Sequence, residues 1–428
     1  MTDATPTEVL LLQQAFETAL QAAAPAVCLP PALEAYPRKP ALVLGTGKAA
    51  ASMTAAFCEH WNAPTRGLVV TRYGHGLKLG ETSGGVEVVE AGHPSPDSSS
   101  LAAGARLLEL AAGARKDEYL ICLISGGGSS LAAAPLPPIT FEQKRSAANY
   151  LIRVGADIRE INCVRKHLSK LKGGRLAATA HPAPVITFVI SDVPGDEVGD
   201  IASGPTIPDA TSQADALAIL ERYGYPQIAE LMPVLRDRIA ETPKPGAPGF
   251  ASDAVHLIAT ASTALDAATK LLRSRGYEVV YLGADLADEA QDLGRRHAKL
   301  AKEQRARGKR VAILSGGETR VILGAGGEGG GRGGRNTEYI ASLALELDGC
   351  PGVFALAADT DGIDGHGDHA GAFIVPETLR HGAVLGTSLT ALLARHDTYS
   401  YFDSGRYLVK TGPTRTNVND FRLILCQP

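Results

Sequence analysis

The sequence predicts an α/β protein built on parallel sheet and divided into two domains. Three observations carry that prediction. Short apolar runs alternate with segments of helical periodicity through most of the chain, the pattern of strand–helix–strand units. The 428 residues exceed what one ordinary core holds. The rhythm also breaks once, at IAETPKPGAPGFASD (239–253), which is dense in proline, glycine and small polar residues, and then restarts. Domains are accordingly expected at 1–240 and 253–428, joined by a linker at about 241–252.

The chain opens on MTDATPTEVLLLQQAFETALQAA, whose apolar residues recur at helical spacing and predict an amphipathic first helix. Its early acids and the lack of a basic leader region argue against a signal peptide. ALVLGTGKAAASMTAAF then reads as strand, glycine turn and Ala-rich helix. GLVVTRYG is a second strand, and VEVVEAGHPSPD a third that ends in a Pro-rich turn. SSSLAAGARLLELAAGA reads as a helix with serines available for its N-cap. YLICLISGGGSS supplies another buried strand and turn, and VITFVISDVPGD an apolar strand running into acids. Between those two strands lies a mainly helical, basic stretch. After the linker, HLIATASTALDAATKLLRSRGYEVVYLG gives strand, helix and strand, with Gly276 at the helix C-terminus. VAILSGGETRV follows, then a loop with eight glycines between Gly324 and Gly334, and then the helical TEYIASLALEL.

A hydrophobic content of 45% with 21% charged residues is that of a soluble globular protein. The net charge of −4 provides no basic excess for nucleic acid, and 5% aromatics disfavour base stacking. No apolar run reaches membrane-spanning length. Six cysteines without a CxxC pair predict reduced thiols in a cytoplasmic protein; the sequence does not choose between a monomer and a homodimer.

Glycine turns at strand ends carry the functional reading. Ser125, Gly126, Gly127, Gly128, Ser129 and Ser130 follow one apolar strand; Ser315, Gly316, Gly317, Glu318 and Thr319 follow another. Bare amides in such turns, and at a following helix start, form anion sites. Arginine beside them, as at Arg332 and Arg335, grips carboxylate or phosphate with two donors. Gly45-Thr-Gly47-Lys48-Ala-Ala50 fits G-x-G-x-x-A, the dinucleotide fingerprint, but the acid expected after the second strand is replaced by Thr71 and Arg72. An ammonium at Lys48 is instead placed to neutralise transferring phosphate. Asp192 and Asp361 stand at strand ends, where a carboxylate holds Mg2+ or accepts a hydroxyl proton; the roles are not divided between them. The aspartates at 359–368 do not fit EF-hand spacing. Arg165, Lys166, His167, Lys170 and Lys172 form either a solvated basic face or an anion-recognition face, and His93 is a candidate base.

These motifs together (GTGKAAASM, AGHPSPD, LISGGGSSL, NCVRKHLSKLKGGRLA, ISDVPGDEVGDIASGPT, LSGGET, GGRN, DTDGIDG and TGPTRTNVND) resemble the type II glycerate kinases, the glycerate 2-kinases of the MOFRL family. Members long carried the name hydroxypyruvate reductase of tartrate utilisation. The resemblance implies ATP- and Mg2+-dependent phosphorylation of D-glycerate to 2-phosphoglycerate. It also implies a Rossmann-like N-terminal domain, a smaller α/β C-terminal domain and an active site in a cleft between them. The family's functional lysine and arginine correspond to Lys48 and Arg335. Thr337, Arg415 and His366 depart from the residues usual in the family, which are glutamine, glycine and proline. On this reading Arg335, Arg165, His93 and Lys48 meet the acid. The glycine turns, with Gly45 and Gly47, hold phosphates; Asp192 and Asp361 serve metal and proton transfer; and the loop 324–334 acts as a lid. The rivals are an NAD(P)H-dependent hydroxypyruvate reductase, resting on GTGKAA, and a non-catalytic anion sensor.

Overall fold

The computed structural model describes residues 6–322, 331–365 and 367–428. The chain divides into two compact units: a first of Pro25–Ile258, and a second that joins the chain up to Ala24 to Ala259–Pro428.

In the first unit, strands β1 (Ala41–Thr46), β2 (Thr65–Arg72), β3 (Val86–Ala91), β4 (Tyr119–Ile124), β5 (Val185–Ile190) and β6 (Ala254–Ala259) lie in the order β3-β2-β1-β4-β5-β6. Pairing from β3 through to β5 is parallel. β1 and β5 are buried along their length, which is why ALVLGT and VITFVI read as unbroken apolar runs. From β1 the chain steps outward to β2 and β3, then crosses to β4 and β5. β1 and β4 therefore flank the switch point, where parallel sheets gather ligands at strand carboxyl ends. Register aligns those ends: Thr46 lies opposite Ile124, and Ile124 opposite Val189. The turns after β1, β4 and β5 thus leave the sheet side by side.

Two sequence expectations change here. The helix Ser98–Ala112 is capped by Asp97 rather than a serine: Asp97 accepts from the Ser100 N–H at 2.9 Å, and its own N–H donates to Ser100 Oγ at 3.1 Å. The 241–252 segment is tied into the first unit, with buried Thr242 donating to Asp209 at 3.2 Å and Asp253 meeting His181 at 2.9 Å. β6 then extends the first sheet, so the break between units falls at Ile258–Ala259.

The second unit carries β7 (Glu278–Tyr281), β8 (Val311–Ser315), β9 (Val353–Asp359), β10 (Gly371–Ile374), β11 (Leu408–Val409) and β12 (Asp420–Cys426), in the order β11-β10-β9-β12-β8-β7. This sheet is mixed rather than parallel. β7 and β8 pair parallel, while β12 inserts antiparallel between β8 and β9, a closure that strand sequence alone does not disclose. Helices Ala290–Ala306 and Arg335–Leu347 pack on it through Leu293, Ala298, Tyr339 and Leu343. A Cβ on Gly294 would stand 2.6 Å from the Tyr339 carbonyl, so glycine sets their close approach. The first helix, Thr7–Ala22, belongs to this unit and not to 1–240: Phe16 meets Phe421 at 5.5 Å between ring centroids, and Thr416 donates to the Ala23 carbonyl at 2.7 Å. No described helix is long and apolar enough to cross a membrane.

Candidate active site

The aligned strand ends of the first unit bring the Gly47, Ser125 and Asp192 turns together. A Cβ on Gly47 (φ +142°) would fall 2.1 Å from Ser125 Oγ, and one on Gly45 would fall 2.7 Å from the Leu123 carbonyl. The Lys48 N–H donates to the Gly126 carbonyl at 2.9 Å, and the Ala49 N–H to Ser125 Oγ at 3.0 Å. Gly45, Gly47 and Ser125 were expected to face a nucleotide phosphate; they instead fit one turn into the next. Gly128 does likewise, with its Cβ position 2.8 Å from the Thr46 carbonyl.

Gly126 and Gly127 are different. Among the described residues their N–H groups donate to no protein acceptor. A Cβ on Gly126 would overlap the Asp192 carboxylate, 1.6 Å from Oδ2. On Gly127, at φ +79°, it would stand 2.9 Å from the His93 ring and 3.3 Å from Lys48 Cγ. Two open amides thus lie beside the Lys48 side chain, the His93 imidazole and the Asp192 carboxylate, each half-buried. Such a turn is suited to a phosphoryl group. The next two hydroxyls are engaged by the protein: Ser129 Oγ accepts from Lys172 Nζ at 2.8 Å, and Ser130 Oγ donates to the Gly127 carbonyl at 3.0 Å.

In the second unit, register sets Asp420 opposite Asp359, so their side chains share one face of the sheet. Arg335 closes the pair: Nε donates to Asp420 Oδ1 at 2.8 Å, Nη2 to Asp359 Oδ2 at 2.8 Å, and Nη1 to Glu318 Oε1 at 3.0 Å. Burial pulls the guanidinium down, but the three carboxylates outweigh it and raise it well above its ordinary range. The fork expected to grip a substrate acid is therefore filled by the protein's own carboxylates. Arg422, opposite Ser315, is 1% exposed and donates to the Gly316 carbonyl at 2.7 Å and to Asp420 Oδ2 at 2.5 Å. The Gly316 N–H donates to the Gly283 carbonyl at 2.9 Å and that of Thr319 to Asp420 at 3.4 Å, while a Cβ on Gly317 would stand 2.2 Å from the Leu286 amide nitrogen. The Ser315–Thr319 turn, expected as a phosphate cradle, is fastened to its own strands, and of these residues Glu318 is the exposed one.

The helix start at Arg335 is also occupied. Asp364 accepts from the Asn336 N–H at 3.0 Å and the Thr337 N–H at 2.9 Å, a carboxylate at the positive end of the helix. Thr337 is buried and donates its hydroxyl to the same carboxylate, so its departure from glutamine is part of the packing. Arg415 sits at φ +65°, a conformation that the family's usual glycine adopts without strain. Asp361 is 1% exposed, and its Oδ1 accepts from the Ile363 N–H at 2.8 Å. His366 and residues 323–330, with most of the expected lid, lie outside the described residues. Among the described residues no three His, Cys, Asp or Glu side chains converge as a metal site.

Sequence reasoning missed Asp420 and Arg422, and grouped Asp364 with the other aspartates of 359–368 without giving it a separate role. The first two had a signal: in DFRLILC, charges at alternate positions of an apolar strand share one face. It also left open a solvated face for the basic stretch, yet Lys166, His167 and Lys172 are buried, with Lys166 3.3 Å from Asp209.

The buried titratable groups of the second unit predict a pH dependence. Burial pushes His297 and His369 down to about 4, and pushes Asp364 up to about 6. His369 Nε2 lies 3.8 Å from Asp364 Oδ2, but the neutral ring makes no ion pair there. Each histidine contributes stability present above pH 6.5 and lost as pH falls toward 4. Asp364 has the opposite sign: its contribution is present below pH 3.8 and lost as pH rises through about 6. Each shift is worth about 3 kcal/mol, so two against one leaves a net loss of about 3 kcal/mol on acidification. Thermal melts should move downward from pH 6.5 to 4; a flat or rising profile contradicts these assignments.

Two family profiles match the chain: a domain of unknown function, DUF4147, over residues 11–236, and the MOFRL family over residues 311–420. A protein of Agrobacterium vitis provisionally named hydroxypyruvate reductase is 44% identical over 97% of this chain and 94% of its own length. The D-glycerate 2-kinase of Thermotoga maritima is 38% identical over 89% of each chain. The crystal structure of a glycerate kinase from Thermotoga maritima superposes with a TM-score of 0.85 at 34% identity, covering 98% of this chain and 100% of that one.

Proposed function

This chain belongs to the glycerate kinase family that carries the MOFRL domain, and from that premise we propose that it transfers the γ-phosphate of ATP, with Mg2+, to the 2-hydroxyl of D-glycerate, giving 2-phosphoglycerate and ADP. The observation that carries this reading is the convergence of Lys48, His93 and Asp192 on the open amides of Gly126 and Gly127. Phosphoryl transfer asks a protein for position and charge rather than covalent chemistry. The two amides take phosphate oxygens, and the Lys48 ammonium answers the charge that grows on the transferring group. His93, whose ring also borders the Gly127 position, would contact the acceptor. Asp192 is a half-exposed hard oxygen donor beside this position, which fits Mg2+, an ion that keeps most of its ligands as water and phosphate. Asp361, buried with one oxygen on the Ile363 amide, fits less well. Bound there, Mg2+ would offset phosphate charge. Arg335 holds Asp359, Asp420 and Glu318 in one cluster. All six cysteines are free thiols, which favours a cytoplasmic location.

The reductase reading loses its footing, because the Lys48 and Ala49 amides that would meet a dinucleotide pyrophosphate are bonded to the Ser125 turn. Parallel assays separate the two. ADP release on adding D-glycerate to enzyme, ATP and Mg2+, with no NADPH oxidation on hydroxypyruvate, is expected. NADPH oxidation without ADP release would reverse the conclusion.

A further inference from the structure

Beside the Ser129–Ser130 end of the phosphate turn lies a cavity of about 320 Å³, at the small end of ligand pockets. Its cationic lining is Lys144, Arg145, Arg165 and Lys172, and it contains no aspartate or glutamate. Lys144 is 8% exposed, and among the described residues its Nζ has no hydrogen-bond partner. Burial and then Arg165 push this ammonium down to about 7. Burial, and then Lys144 and Arg165, lower Lys172 well below its ordinary value. Lys172 has an anchor, donating to both the carbonyl and the hydroxyl of Ser129 at 2.8 Å. Lys144 has none. A buried cation among like charges weakens the fold unless something supplies the opposite charge. The Ser130 hydroxyl, on the cavity wall, donates to the Gly127 carbonyl, so the cavity adjoins the turn assigned to the phosphoryl group.

Resting on the kinase reading above, we propose that this cavity is the acceptor pocket. It takes the carboxylate of the small hydroxy acid, and Lys144 and Arg165 supply the counter-charge that the filled fork of Arg335 does not. Phosphate is the other oxyanion that such cations attract. The small volume and the position next to the phosphate turn, rather than within it, favour the acid.

The test is calorimetric titration of the full chain, wild type and Lys144→Met, with D-glycerate, ADP and inorganic phosphate as separate probes, alongside KM for D-glycerate and ATP. Lys144→Met should weaken D-glycerate binding and raise its KM at least tenfold, leave ADP binding within twofold, and raise the melting temperature. The charged groups around Lys144 are the cations Arg145, Arg165 and Lys172, so wild-type affinity for the acid should fall as pH rises through about 7, and the variant should lose that dependence. D-glycerate binding within twofold of wild type overturns the proposal, as does a Lys144 dependence found for phosphate or ADP instead. Should Lys144→Met fail to fold, Arg165→Met with the same readouts decides. Lys144-dependent binding of D-glycerate without ADP release would sink the kinase reading and leave the pocket standing. Normal turnover with an unchanged KM in the variant would do the reverse.

Discussion

Lys48→Ala is expected to lower kcat about a thousandfold, or about 4 kcal/mol, as loss of a cation positioned on a transferring phosphoryl group does. The fold should not suffer. The backbone of residue 48 is held in the turn by its N–H on the Gly126 carbonyl and by its own carbonyl, which accepts from Thr71 Oγ1, and alanine keeps both. The side chain is half-buried beside Gly127 and His93, so its removal opens space at the rim and leaves the core untouched. Steady-state kinetics with a melting curve check both halves of the claim. Turnover within tenfold of wild type would remove Lys48 from the mechanism.

Arg335→Ala should act first on stability. Asp359 and Asp420 are 3% and 2% exposed, and Arg335 is their common partner along with that of Glu318. Removing one side of a buried ion pair costs about 3–5 kcal/mol; here the cost falls on buried Asp359, which loses its guanidinium, whereas Asp420 keeps Arg422 and Glu318 is exposed. A loss of that size is expected in denaturant unfolding, with the melting temperature falling alongside. Arg335→Lys retains the charge but not the planar fork that spans three acceptors, so it should recover only part of the loss. A variant as stable as wild type, with a raised KM for D-glycerate alone, would make Arg335 a substrate ligand rather than the organiser of the cluster.

Much of the sheet architecture was legible because fully buried parallel strands leave unbroken apolar runs, as ALVLGT and VITFVI do. Lys48, His93 and Asp192 were legible as strand-end residues. Their convergence was not, since it follows from the register of β1 with β4 and of β4 with β5, and, for His93, from that of β1 with β2 and of β2 with β3. Glycine was the ambiguous signal. Gly45 and Gly47 clear space for neighbouring backbone, whereas Gly126 and Gly127 keep open amides, and both uses leave the same letter in the sequence. Arg335 misled for a related reason: an arginine beside a glycine turn binds an anion, but here Asp359, Asp420 and Glu318 supply it. The insertion of β12 between β8 and β9, and the return of Thr7–Ala22 to the second unit, are long-range choices that local pattern does not encode.

The most direct test follows the product. With enzyme, ATP, Mg2+ and D-glycerate, phosphorus NMR should show one new phosphomonoester coupled to the carbon-2 proton, formed in step with ADP. A 3-phosphate, or ADP released at the same rate without the acid, would contradict the account.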